Sequence, residues 1–119
     1  MNENEIEEEI QAKNLNAPRL TPALIDSKIK EKSFHKLTDV LTVCVLTLQN
    51  GFTVTGESAC ASPANYNQEI GEGIAFTNAR DKIWVLEGYL LKEKLYHQES
   101  LWHKTDYIMN IYADYQRKK

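Results

Sequence analysis

The chain has 119 residues, of which 42% are hydrophobic and 26% are charged, and its formal net charge is -3. This length and balance predict a globular domain, because disordered chains carry fewer apolar residues. The negative charge argues against nucleic-acid backbone binding, which needs clustered lysine and arginine. No apolar run approaches the roughly 20 residues that span a bilayer, and no signal-peptide pattern opens the chain, so a cytoplasmic protein is expected.

Residues 1–16 are rich in glutamate and are predicted to form an acidic flexible tail. Acidic runs are usually solvated, so a frayed helix exposed to solvent is expected here. An alternative is a mobile acidic arm that competes for a basic surface of a partner. Residues 17–119 are expected to form a single α+β domain. The tail carries Glu3, Glu5, Glu7, Glu8 and Glu9.

An N-terminal helix is predicted to begin at Thr21-Pro22. A threonine can cap free amides, and proline suits the first helical position because its missing N–H costs nothing there. Apolar residues at helical spacing follow, which predicts a helix from Pro22 to about Ser33. Residues 34–40 would then connect this helix to a sheet.

An antiparallel β-hairpin is predicted around Asn50-Gly51. The flanking runs, 41–49 and 52–60, are rich in β-branched residues, and Asn-Gly favours a two-residue type I′ turn. Such a turn would place Cys44 and Cys60 on opposite faces, which excludes a disulfide between them. Free thiols are also expected in a reducing compartment. One face of the hairpin would carry Leu41, Val43, Val45, Phe52 and Val54.

Two further helices are predicted in the second half of the chain. Apolar residues recur every three or four positions from 64 to 96, which predicts a long central helix. Residues 100–117 form a C-terminal helix candidate, which Ser100 can cap. Aromatic residues are concentrated in this part of the chain, where core packing and a subunit interface are equally reasonable explanations. They are Tyr89, Tyr96, Trp102, Tyr107, Tyr112 and Tyr115.

Catalytic and metal-binding patterns are missing from the sequence. The histidines and cysteines are too scattered for a metal site, and no phosphate-binding loop of the Walker type is present. Ser58, which follows Glu57, has no recognisable base and lacks the final glycine of a nucleophile elbow. We therefore predict no enzyme activity, no cofactor and no metal.

A small polar and aromatic pocket is the candidate ligand site. Arg80 and Trp84 are four residues apart and share a helix face. A nucleotide would use such a set: a ring for stacking, an arginine for phosphate and amides for base edges. In the alternative interpretation, Arg80 forms a surface ion pair with Asp81 or Glu87, Trp84 fills the core, and neither residue binds a ligand. The candidate ligand-binding residues are Ser58, Asn65, Tyr66, Arg80 and Trp84.

Four long sequence blocks resemble a known family. They are similar to a small phage gene-product family of the type of gene product forty-nine of phage N-four and gene sixty-six of Shigella phage Sf-six. The resemblance implies a phage or prophage product that acts in the host bacterial cytoplasm, and it brings no catalytic residues. The blocks are NAPRLTP (16–22), LQNGFTVTGESACASPANY (48–66), EIGEGIAFTNA (69–79) and IWVLEGYLLKEKL (83–95).

The expected function is that of a non-catalytic phage accessory protein that acts on the host. Counter-defence is the leading interpretation, through binding of a host protein or sequestration of a nucleotide second messenger. The alternatives are a nucleic-acid-binding module and an oligomeric virion or assembly component. A half-apolar hairpin face and the aromatic C-terminus favour a homo-oligomer.

Overall fold

The computed structural model describes residues 1–118, with side chains for all of them except 100–107. It divides into two units, Met1–Glu87 and Gly88–Lys119. Helices and strands are both present, which confirms the α+β class. The elements are α1 (Glu3–Ala12), α2 (Pro22–Ser27), β1 (Ile29–Lys36), β2 (Leu41–Leu48), β3 (Thr53–Ala59), a 3-10 turn (Pro63–Asn65) and α3 (Gln68–Arg117).

The sheet has three antiparallel strands in the order β1-β2-β3, so it is larger than the predicted hairpin. The predicted helix from Pro22 to about Ser33 does begin at Pro22 with Thr21 as its cap, but it ends at Ser27. The residues that were predicted to continue this helix instead begin strand β1. This strand lies at the edge of the sheet, where both faces can carry charged residues, and it therefore lacks the apolar alternation that predicts a strand.

The hairpin turns at Asn50-Gly51, but its loop has three residues rather than two. Leu48 N–H donates to the Phe52 carbonyl at 2.8 Å, and Gly51 N–H donates to the Leu48 carbonyl at 2.9 Å. Gly51 has a φ of 87°, while Asn50 keeps a negative φ. This combination matches a turn that ends in a left-handed glycine, whereas type I′ needs a positive φ at both residues.

The longer loop shifts the pairing by one residue, so the predicted register is wrong. Leu41 pairs with Ala59 and Val45 with Thr55, instead of Cys60 and Gly56. A one-residue shift moves every side chain of one strand to the other face. Val54 is therefore buried on the face that carries Cys44. Phe52 lies two residues earlier, beyond the start of β3, and is exposed.

Cys44 and Cys60 also fall on one side of the sheet, not on opposite sides. Cys44 pairs with Gly56, which places Cys60 four residues further along the chain. This separation along the strand, rather than the face, keeps the two sulfur atoms apart. Both cysteines are free thiols, with Cys44 buried and Cys60 half-buried.

The hydrophobic core lies between one face of the sheet and the first turns of α3. Strand β2 buries every second residue, and α3 buries small residues that let its backbone approach the sheet. Five partly buried apolar residues pack against this core: Leu20, Ile29, Phe34, Phe76 and Trp84. The buried apolar residues are Ile25, Cys44, Leu46, Leu48, Val54, Ala75, Ala79 and Ile83.

Helix α3 contains both of the helices predicted in the second half of the chain. It runs without interruption from Gln68 to Arg117, and the unit Gly88–Lys119 consists of its later part. Many large apolar side chains of this later part are exposed. The predicted roles of Ser100, Trp102 and Tyr107 lie outside the described side chains. In the described part of the chain, no helix is long and apolar enough to cross a membrane.

Candidate functional site

The five predicted ligand-binding residues do not share one pocket. Ser58, Asn65 and Tyr66 line a cavity of about 120 Å³ between the end of β3 and the start of α3, which we call the Tyr66 pocket. Arg80 and Trp84 lie elsewhere in the same unit, beside α1. They are four residues apart on α3, as the helical spacing predicts. The structure therefore divides the five predicted residues between two separate places, with Ser58, Asn65 and Tyr66 in one and Arg80 and Trp84 in the other.

The Tyr66 pocket is small, and both polar and apolar residues line it. The Tyr66 hydroxyl lies 3.4 Å from the hydroxyl of Thr42, which is a buried polar residue of β2. The ammonium of Lys36 lies 4.1 Å from the centroid of the Tyr66 ring. Most ligand pockets enclose about 300 to 1,000 Å³. This pocket is therefore too small for a nucleotide within a single copy of the chain.

Trp84 lines a larger cavity, which we call the α1 groove. Its volume is about 340 Å³, within the range of small-molecule sites. One wall is helix α1, and the other walls come from Leu20, from Pro22 at the start of α2 and from Trp84 of α3. The lining residues are Glu3, Ile6, Glu7, Ile10, Leu20, Pro22 and Trp84.

Two arginines attach α1 to the rest of the domain. Arg80 donates to both carboxylate oxygens of Glu3, at 2.6 and 2.8 Å, and its Nε donates to Asp26 at 2.8 Å. Arg19 donates to both carboxylate oxygens of Glu7, at 2.7 and 2.8 Å. Each contact is a two-point fork, the strongest arrangement of an arginine with a carboxylate. Arg80 therefore pairs with Glu3 and Asp26, not with Asp81 or Glu87.

These ion pairs change the acidities of their members. The hydrogen bond from Arg19 lowers the pKa of Glu7, and the same bond raises the pKa of Arg19. The bond to Glu3 raises the pKa of Arg80. Both guanidiniums and the Glu7 carboxylate are therefore charged at neutral pH. The two arginines lie outside the lining of the groove and pair with Glu3 and Glu7, which do line it.

Sequence reasoning missed Arg19, Glu3 and Glu7 as parts of this site. The two glutamates belong to the stretch that the composition assigns to an acidic tail. Their spacing of four residues was the available signal, because it places both carboxylates on one face of a helix. Nothing in the sequence named Arg19 and Arg80 as their partners.

The described residues offer no arrangement for metal catalysis. Among the side chains that the structure describes, no group of three or more His, Cys, Asp or Glu residues could hold a metal ion. Ser58 lies on β3 opposite Thr42, in a neutral polar setting.

Comparison with known proteins places the chain in a phage family. Residues 20–95 match the family described as phage protein (N4 Gp49/phage Sf6 gene 66). The chain belongs to this family, as its sequence blocks predicted. No curated protein and no solved structure matches the chain. The match spans α2, the sheet and the first part of α3, and it leaves α1 and the end of α3 outside.

Proposed function

We propose that this phage accessory protein is not an enzyme and that it acts on the host by binding a host protein that takes part in defence. One observation carries the proposal: the later part of α3 exposes large apolar side chains. Ile108 is 63% exposed, Ile111 is 51% exposed and Tyr112 is 59% exposed. Ile111 and Tyr112 follow Ile108 by three and four positions, so all three side chains lie on one face of the helix. We call these three residues the helix stripe.

The chemistry of the helix stripe suits a protein partner. Exposed apolar residues in groups are typical of interaction sites, and an amphipathic helix commonly docks its apolar face into a groove of another protein. Tyrosine is enriched at such interfaces because its ring is apolar and its hydroxyl is polar. The family match supports the assignment to a phage. The experiment below tests the link to host defence.

A test of the proposal compares two double variants. Ile108→Lys with Tyr112→Lys places charge on the helix stripe. Asn110→Lys with Ala113→Lys adds the same charge on the opposite side of the same helix. Each protein is expressed during infection, cross-linked and purified, and the phage yield on a defended host is measured. We expect the stripe variant to lose its host protein and to lower the yield, while the control variant retains both.

The opposite results would contradict the proposal. If the stripe variant keeps its host protein and protects the phage, the helix stripe is not the binding surface. If the pure protein turns over a substrate and Glu57→Gln or Ser58→Ala abolishes the turnover, the protein is an enzyme. Recovery of the protein from purified virions would favour the assembly role, and a salt-sensitive gel shift would favour nucleic-acid binding.

A second candidate function is sequestration of a nucleotide messenger. The α1 groove favours it, because Trp84 offers an aromatic face and Arg19 and Arg80 offer guanidiniums that match phosphate. Native mass spectrometry of protein purified from infected cells tests this candidate. A co-purifying nucleotide that is lost in Trp84→Ala would support it. A ligand-free protein whose chromatographic fractions also lack nucleotide would count against it.

A further inference from the structure

We propose that α1 is a displaceable arm whose carboxylates occupy the phosphate positions of a nucleotide site formed by Arg19, Arg80 and Trp84. The ligand class is a nucleotide with two separated phosphate groups. This inference rests on the nucleotide candidate above and is independent of the helix stripe. Its basis is the contacts of Glu3 and Glu7 in the α1 groove.

The first argument is the geometry of the two arginines. Each guanidinium directs two N–H groups at one carboxylate of α1. The same planar fork binds a phosphate group equally well. Glu3 and Glu7 therefore stand where two phosphate groups would bind.

Arg80 would keep its orientation after the arm leaves. Its Nε donates to Asp26, and its Nη2 also lies 3.4 Å from the Pro22 carbonyl. Both partners belong to α2, not to α1. Its side chain is 13% exposed, so the surrounding residues also restrict its movement. A ligand would therefore meet a guanidinium that is already positioned, which lowers the entropic cost of binding.

The second argument is the weak packing of α1. None of its residues is buried, and Ile6 is 45% exposed although it lines the groove. The groove itself leaves about 340 Å³ beside Trp84. A helix of this length is marginal in water without packing. The two ion pairs therefore supply much of the attachment, and a competing anion can replace them.

The spacing of the carboxylates specifies the ligand. Glu3 and Glu7 are four residues apart, so their Cβ atoms lie about 6 Å apart on one face of the helix. A ligand with two separate anionic groups would satisfy both arginines at once. A nucleoside with phosphates on two different ribose positions meets this condition better than one with a single phosphate. Trp84, in the same groove, is the surface on which its base would stack.

The experiment measures nucleotide binding by the full-length chain through fluorescence. Trp102→Phe leaves Trp84 as the sole tryptophan of the sequence and serves as the reference. The probe is adenosine 3′,5′-bisphosphate, and adenosine 5′-monophosphate is the single-phosphate comparison. Glu3→Gln with Glu7→Gln removes the competing charges. The matched control is Glu5→Gln with Glu8→Gln, which alters two exposed glutamates of the same helix that have no ion pair with Arg19 or Arg80.

We expect the variant at Glu3 and Glu7 to bind the bisphosphate about ten-fold more tightly than the reference and the matched control. Arg19→Gln, added to that variant, should reverse the gain. Arg19 lies outside the buried core, so this change tests the site without removing a core contact. The monophosphate should show a smaller gain, because it can engage only one guanidinium.

Two results would overturn the inference. If the variant at Glu3 and Glu7 binds the bisphosphate no more tightly than the reference, while Arg19→Gln weakens binding, the nucleotide candidate survives but α1 is not a competing arm. If no variant binds either probe at millimolar concentration while circular dichroism shows a folded protein, both the arm and the nucleotide site are wrong. The host-protein proposal would be unaffected, because it is tested on the helix stripe.

Discussion

Gly56 of β3 lies directly against the backbone of Ala79 in α3. A methyl group at Gly56 would be 2.1 Å from the Ala79 amide nitrogen and 2.3 Å from the Ala75 carbonyl oxygen. Backbone atoms cannot move aside as a flexible side chain can, so the helix and the sheet would have to separate. We expect Gly56→Ala to lower the free energy of unfolding by about 3 kcal/mol. Urea denaturation measures this change.

Gly73→Ala is the matched control for that prediction. Gly73 lies in α3, and a methyl group there would meet nothing within 4 Å. Alanine is the better helix former, so this variant should gain about 0.5 to 1 kcal/mol. Equal denaturation midpoints for the two variants would show that α3 does not approach β3 as closely as described.

The left-handed turn residue gives a second prediction. Gly51 has a φ of 87° and open space around it, so its constraint is conformational and not steric packing. Gly51→Val should destabilise the protein by about 1 to 2 kcal/mol, because β-branched residues rarely adopt this backbone. Gly51→Asn should cost less. Similar midpoints for both variants would contradict the assigned turn.

The Glu7–Arg19 pair predicts a loss of attachment of α1 in acid. The folded-state pKa of Glu7 lies below its usual value of 4.5, so the pair contributes stability above that value. This contribution is lost as the pH falls through the lowered pKa. Carbon NMR of the Glu7 carboxyl group should show the lowered pKa, and Arg19→Gln should restore the usual value. An unchanged Glu7 titration in Arg19→Gln would rule out the pair as its cause.

The two cysteines should differ sharply in reactivity. Cys44 has no exposed surface, and burial raises the pKa of its thiol, which suppresses the reactive thiolate. Cys60 is half-buried and lines the Tyr66 pocket. A thiol reagent should therefore modify Cys60 first, and Cys44 only after unfolding. Cys60→Ser should remove the fast phase; a fast phase that persists in this variant would contradict the burial of Cys44.

Local sequence signals predicted much of the fold. Thr21-Pro22 starts a helix because a cap and a proline act within one turn of the chain. The turn at Asn50-Gly51 was found because the left-handed conformation of Gly51 is a property of that residue type. Helix α3 was found because its core contacts recur at helical spacing.

The missed features depend on partners distant in sequence. Strand β1 is exposed at six of its eight residues, so its pairing with β2 leaves little apolar pattern. The pairing register of β2 and β3 depends on the length of the loop between them. Asn-Gly occurs in both two-residue and three-residue hairpin loops, so the dipeptide does not decide the register. The α1 groove depends on Glu3 meeting Arg80, which are 77 positions apart. No local pattern contains that pairing.

The same separation sets the order of events during protein synthesis. Glu3 of helix α1 leaves the ribosome before its partner Arg80, which follows 77 residues later. A short helix of this kind is marginal until it can pack. The nascent chain must therefore complete the sheet and the first turns of α3 before α1 has a place to attach. We infer that α1, although it is synthesised before the sheet and α3, is among the last parts of its unit to take its final position.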